Sequence, residues 1–175
     1  MQPTTASELA GLARARLLGT ADAVVGPDVV IDSRAVTPGC LFVALPGERV
    51  DGHDFAATAV GAGAAAVLVT HDVDVEAPRL VAEDAAAALA ELATGIVSRA
   101  ARAGLSSIGV TGSSGKTSTK DLMAQVLAEA GPTVAPAGSA NNEIGVPLTA
   151  CRVDASTRFL VSELGARGKG QIGRA

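Results

Sequence analysis

The stretch IGVTGSSGKTSTKDL, residues 108–122, constrains this chain more than any other. An apolar run, Ile108–Gly109–Val110, breaks into small residues, meets Lys116 and resumes at helical spacing. A phosphate-binding loop needs glycines that let backbone N–H groups converge on oxygens, and a helix N-terminus aimed at the anion. It also needs a lysine for the β/γ-phosphates and a hydroxyl for Mg²⁺. Gly112, Ser113, Ser114, Gly115, Lys116 and Thr117 meet these needs in order. Against the strict pattern G-x-x-x-x-G-K-[ST], however, Val110 stands where the first glycine belongs, and a bare G-K-T also suits an ordinary strand-to-helix turn whose lysine and threonine face solvent.

The flanks narrow the choice. The apolar strand feeds straight into the loop. Behind it, Leu122, Met123, Val126, Leu127 and Ala130 share one side of a helix predicted over 117–130, with Lys120, Asp121, Gln125 and Glu129 on the other. A metal held by one hydroxyl and phosphate oxygens wants an acid at a neighbouring strand end. Glu163 follows the apolar Phe159–Leu160–Val161 and precedes Gly165, which places it at the carboxyl edge of a sheet. A solvated strand-end glutamate is the plainer alternative.

Elsewhere the pattern alternates strand and helix, which predicts parallel βαβ units. A helix from Ser7, capped by Ser7 or Thr5, runs to Gly19. Short strands at Val29–Ile31 and Leu41–Leu45 flank the turn signal Thr37–Pro38–Gly39. A helix near Asp54–Val60, strands at Ala65–Thr70 and around Leu80, and a long helix capped by Asp84 follow. Near Gly104 the pattern starts afresh, so a domain boundary is expected there. Beyond the glycine-loop helix come a strand near Thr133, the polar loop GSANNEIGVP, a short helix near Leu148 and a last strand ending in Glu163. The expected class is α/β: a small amino-terminal α/β domain over 1–104, then the start of a P-loop-type parallel-sheet domain over 105–175.

Composition removes several function classes. Apolar residues make up 48% and charged residues 18% of 175, so the chain is expected to fold. A net charge of −4 without a basic run, and 2% aromatics without Trp or Tyr, argue against nucleic-acid binding. Glu8, Arg14 and Arg16 interrupt any leader-like apolar segment, and the apolar stretch 56–69 is short for a membrane span. Cys40 and Cys151 lack a partner motif and read as buried reduced thiols. These features point to the cytoplasm. His53 and His71 have no partner at metal or triad spacing and read as loop histidines.

TGSSGKTSTK resembles the ATP loop of the Mur ligases, whose form is T-G-x-x-G-K-T and which tolerates Val110. DSRAVTPGCLFVALPGERVDGHDF, residues 32–55, resembles their amino-terminal domain, which holds the UDP end of a UDP-muramoyl-peptide. NNEIGVPLT (141–149) and ELGARGKGQI (163–172) resemble the MurF branch in particular. That branch joins D-alanyl-D-alanine to UDP-N-acetylmuramoyl-tripeptide through an acyl phosphate, with ATP and Mg²⁺.

The resemblance implies that Thr111, Gly112, Ser113, Ser114, Gly115, Lys116, Thr117 and Ser118 bind ATP. Lys116 neutralises the β/γ oxygens as the catalytic residue, and Thr117 with Glu163 holds Mg²⁺. Ser33 and Arg34, a hydroxyl and a guanidinium after a strand, suit a diphosphate or uridine contact; a turn with a surface arginine is the alternative. Asn141 and Asn142 could touch substrate or a phosphate-side water, or simply form a turn. The family also uses a carbamylated lysine later in the central domain and a carboxyl-terminal domain that closes over ATP. The expectation is therefore an inactive fragment of an enzyme monomeric at full length. A ligase adding the third amino acid and a standalone nucleotide-binding module are the other readings.

Overall fold

The computed structural model describes residues 1–47 and 50–165. The chain divides into two compact units, Met1–Gly95 and Ile96–Ala175. The first contains β1 (Thr4–Thr5), α1 (Ala6–Leu12), β2 (Arg16–Leu18), β3 (Val24–Val25), β4 (Val29–Val30), β5 (Leu41–Val43), α2 (Ala56–Gly61), β6 (Ala66–Val69) and β7 (Arg79–Val81). Helix α3 (Ala85–Arg102) follows, and the division falls within it, whereas the sequence pattern restarts after Gly104. Asp84 caps α3 as expected, its Oδ1 accepting from the N–H groups of Ala86 at 2.8 Å and Ala87 at 3.0 Å.

Five strands of the first unit form a sheet in the order β2-β7-β6-β5-β4, parallel except for β2. β5 and β6 are buried along their whole length, as strands covered on both faces must be. Cys40, Phe42, Ala44, Val67 and Val69 pack with Ala56 and Ala59 of α2, and these alanines let the helix lie close to the sheet. The expected helix to Gly19 is overturned: α1 stops at Leu12, Arg14 takes a φ of 51°, and the remaining residues become β2. Pairing with β7 satisfies that backbone in a way that leftover helical propensity does not match.

His53, expected in a loop, lies in a short 3-10 turn, Gly52–Phe55, and is buried. Its Nε2 accepts from the Thr70 backbone N–H at 2.9 Å, so Nδ1 carries the proton and donates to Asp51 Oδ1 at 2.5 Å. The ring stacks on His71 with centroids 4.2 Å apart. Gly52 is required by close approach, since a Cβ there would lie 2.7 Å from the backbone N and O of Leu45.

The second unit contains β8 (Ser106–Val110), α4 (Lys116–Ala130), β9 (Thr133–Val134), α5 (Gly145–Ala150) and β10 (Phe159–Glu163). The three strands form a parallel sheet in the order β8-β10-β9, as the alternation predicts. The register pairs Glu163 with Val110, so the carboxyl ends of β8 and β10 are level.

One expectation about α4 holds only in part: Met123 and Leu127 turn inward as expected, but other residues do not. Leu122 and Val126, assigned to its core face, are 64% and 70% exposed, while Lys120, assigned to the polar face, is the buried residue of the helix at 0%. The inward stripe is Lys116, Lys120, Met123, Ala124 and Leu127, a helical repeat centred on a lysine. Among the described residues, no helix is long and apolar enough to cross a membrane. Cys40 and Cys151 are both buried, and burial pushes the Cys151 thiol up to about 12.

Candidate active site

The loop between β8 and α4 leaves the sheet beside Glu163, because the strand register sets the two strand ends side by side. Gly115 closes the loop with φ +73°, a left-handed conformation that glycine adopts without a Cβ penalty. It occupies the position before the helix, where most helices carry a capping hydroxyl or carboxylate, and no side chain caps α4. The partial positive charge and N–H groups of the first turn are therefore left for an anion. Lys116 folds over the same loop, its Nζ donating to Gly112 O at 2.8 Å.

Thr117, one residue into the helix, reaches the strand end: its Oγ1 donates to Glu163 Oε2 at 2.9 Å. The other carboxylate oxygen, Oε1, accepts from Asn141 Nδ2 at 2.8 Å and from Ser139 Oγ at 3.4 Å. Glu163 is 1% exposed. Burial pushes its carboxyl pKa up, but the hydrogen bonds from Asn141, Thr117 and Ser139, with the nearby Lys116 charge, outweigh it and hold the group below its ordinary value. The carboxylate is thus ionised at neutral pH. A cleft of about 320 Å³ opens over this arrangement, lined by Gly115, Lys116, Thr117, Ser118, Ser139, Asn141 and Glu163.

The donor set suits Mg²⁺ carried by a phosphate ligand. Thr117 and Glu163 offer hard oxygens, and Mg²⁺ takes one or two protein oxygens and fills the rest of its shell with phosphates and water. Among the described residues no group of three or more His, Cys, Asp or Glu side chains could hold a metal by itself. A hydroxyl that gives its proton to a carboxylate keeps its lone pairs free for such an ion.

The loop stretch Thr111–Ser114 is exposed beside the cleft, and Ser118 lines it. Asn142, expected near substrate, spends its Oδ1 on the N–H groups of Ile144 at 3.3 Å and Gly145 at 2.7 Å, at the start of α5. Ser33 and Arg34 belong to the first unit, in a 3-10 turn capped by Asp32. Arg34 is exposed and forks onto Asp32, with Nε 3.0 Å from Oδ1 and Nη2 2.7 Å from Oδ2. Hydrogen bonds from Arg34 hold the Asp32 carboxyl down at about 2. Within ELGARGKGQI, everything after Gly165 lies outside the described residues. Two residues escaped the sequence reading: Ser139, hidden in a loop where the asparagines drew attention, and Lys120. The signal for Lys120 was its place four residues after Lys116, on the same helical face.

The model of the Mur ligase family catalytic domain matches residues 28–129, and that of the Mur ligase middle domain matches 110–175. The chain belongs to the Mur ligase family. The UDP-N-acetylmuramoyl-tripeptide--D-alanyl-D-alanine ligase of Mycobacterium tuberculosis is 50% identical over 163 residues, covering 82% of this chain and 32% of the relative. A crystal structure of MurF from Acinetobacter baumannii superposes with a TM-score of 0.88 at 32% identity, over 99% of this chain and 38% of that one. The MurF ligase from Thermotoga maritima, solved in complex with ADP, gives 0.71 at 32% identity, over 84% of this chain and 34% of that one. The chain thus spans about a third of the length of these Mur ligases.

Proposed function

We propose that the protein carrying these residues is an ATP-dependent, ADP-forming ligase that adds D-alanyl-D-alanine to UDP-N-acetylmuramoyl-tripeptide in the cytoplasm. The observation that carries the reading is the cleft in which a loop lysine, a helix-start hydroxyl and a buried strand-end carboxylate converge, with Thr117 Oγ1 2.9 Å from Glu163 Oε2. In this reading the Gly112–Gly115 backbone and Lys116 bind the phosphates, with Lys116 releasing Gly112 O to meet the β/γ oxygens. Thr117 and Glu163 hold Mg²⁺, which when bound neutralises phosphate charge. The protein supplies position and charge complementarity, which is most of what phosphoryl transfer to a carboxylate requires. The tripeptide carboxylate takes the γ-phosphoryl group of ATP, releasing ADP. The amine of D-alanyl-D-alanine then attacks the acyl carbon of the acyl phosphate so formed, forming the amide and expelling inorganic phosphate as the amine loses a proton.

Residues 1–104 serve as the UDP-substrate domain, where Arg34, oriented by Asp32, presents the rest of its guanidinium to the diphosphate. Residues from 105 onward begin the ATP-binding domain. The named activity of the relatives favours D-alanyl-D-alanine over a single third amino acid as the incoming amine. The test uses the full-length enzyme. Sustained ADP turnover is expected only with both the tripeptide nucleotide and D-alanyl-D-alanine present, and Lys116→Ala is expected to abolish ATP binding. Unchanged nucleotide affinity in that variant would sink the assignment.

A further inference from the structure

Lys120 is the one residue of α4 that is fully buried, and it is charged. An ammonium group leaves water only where its donors are met. Here Nζ donates to Pro136 O at 2.7 Å and Gly138 O at 2.9 Å, and lies 2.6 Å from Asp121 Oδ1. The two carbonyls belong to the loop that leaves β9, and that loop immediately supplies Ser139 and Asn141, the donors on Glu163 Oε1. One side chain thus ties the helix bearing Thr117 to the loop that orients the carboxylate Thr117 touches. Without it, nothing else from α4 among the described residues is bonded to the Pro136–Gly138 carbonyls.

We propose that Lys120 is a positioning residue: it holds the 136–141 loop so that Asn141 keeps the Glu163 carboxylate turned toward Thr117. The proposal rests on the reading of the cleft as a Mg²⁺–ATP site. Lys116 and the loop backbone contact phosphate directly, whereas Lys120 touches neither phosphate nor metal. Its loss therefore affects the metal-dependent part of binding and spares the metal-free part. Groups that orient a metal ligand are typically worth 10–100-fold in metal affinity, and an indirect strut sits at about the lower end, roughly tenfold.

The experiment compares Lys120→Met, which keeps the stem and removes the donors, with Lys120→Arg, which keeps charge and donors, in the full-length enzyme. Two readouts are taken: ATP affinity with and without Mg²⁺, and the side-chain amide resonances of Asn141 without nucleotide. The expected result is about a tenfold rise in the Mg²⁺ needed for half-maximal binding in Lys120→Met. Metal-free ATP affinity should change less than about twofold, the Asn141 amide should lose its hydrogen-bonded shift, and Lys120→Arg should restore both. If Lys120→Met does not fold, Lys120→Gln, which can reach only one of the two carbonyls, replaces it. Equal losses with and without metal, or an unmoved Asn141 amide, would overturn the proposal. Should the unmodified full-length enzyme bind no ATP, the reading of the cleft fails instead, and the Asn141 amide still decides the role of Lys120.

Discussion

The Asn141–Glu163 hydrogen bond offers the sharpest energetic test of the site. Asn141 Nδ2 lies 2.8 Å from a carboxylate oxygen on a residue 1% exposed. A hydrogen bond to a charged partner contributes about 1.5–3 kcal/mol, against about 0.5–1.5 for a neutral pair. Ser139, at 3.4 Å, is too long to compensate. Asn141→Ala should therefore cost about 1.5–3 kcal/mol in the unmodified chain and about half that when Glu163→Gln has removed the charge. The double-mutant cycle should return a coupling of about 1–1.5 kcal/mol. The chain has two compact units, so one global unfolding free energy is not well defined. Amide hydrogen exchange at Leu160 and Val161, buried in the middle of β10, isolates the relevant unit. If Asn141→Ala costs the same in both backgrounds, the amide does not hold the carboxylate and the geometry of the site is misread.

Three further outcomes follow from other contacts. The folded-state pKa of Glu163 is held below its ordinary 4.5, so its contribution to stability is complete above about 4.5 and is lost as pH falls through the lower folded value. Acid titration of the second unit, followed by hydrogen exchange, should therefore be less steep below that point in Glu163→Gln. His53→Ala should cost the first unit about 1–3 kcal/mol, because the half-buried Thr70 N–H just after β6 loses its acceptor and the buried ring is removed. Faster exchange of the Thr70 amide would report it. The double substitution Leu122→Glu with Val126→Lys should leave stability within about 0.5 kcal/mol, since both side chains lie exposed on α4. A loss several times larger would mean the helix is turned the other way.

Much of the site could be read from sequence because its chemistry is local. A glycine-rich turn between an apolar strand and a helix can present N–H groups in few ways, and Lys116 and Thr117 follow it directly. Glu163 was found by a topological rule, and the β8–β10 register shows why the rule worked: parallel neighbours bring their carboxyl ends to one edge. Asn142 was less legible. An amide oxygen that could meet a substrate serves equally well to satisfy the start of a helix, and only coordinates separate the two. The early end of α1 was hidden because Leu17 fits both a helical stripe and a strand edge, and pairing with β7 decides between them.

Lys120 marks where a polar-versus-apolar pattern loses its force. Such a pattern ranks residues by the cost of leaving water, but that cost depends on what waits inside, and two carbonyls with a neighbouring carboxylate are enough to bring an ammonium in. Once Lys120 faces inward, a helical repeat of 3.6 forces Leu122 and Val126 outward, while Met123 and Leu127 stay on the inward side. Val110 shows the same logic in reverse. It breaks the strict loop pattern, yet it is the last residue of β8 and pairs with Glu163, so it is strand rather than loop. A glycine there would loosen the strand that holds the carboxylate level with the loop. Val110 and the strand-end acid Glu163 are thus placed by one strand pairing.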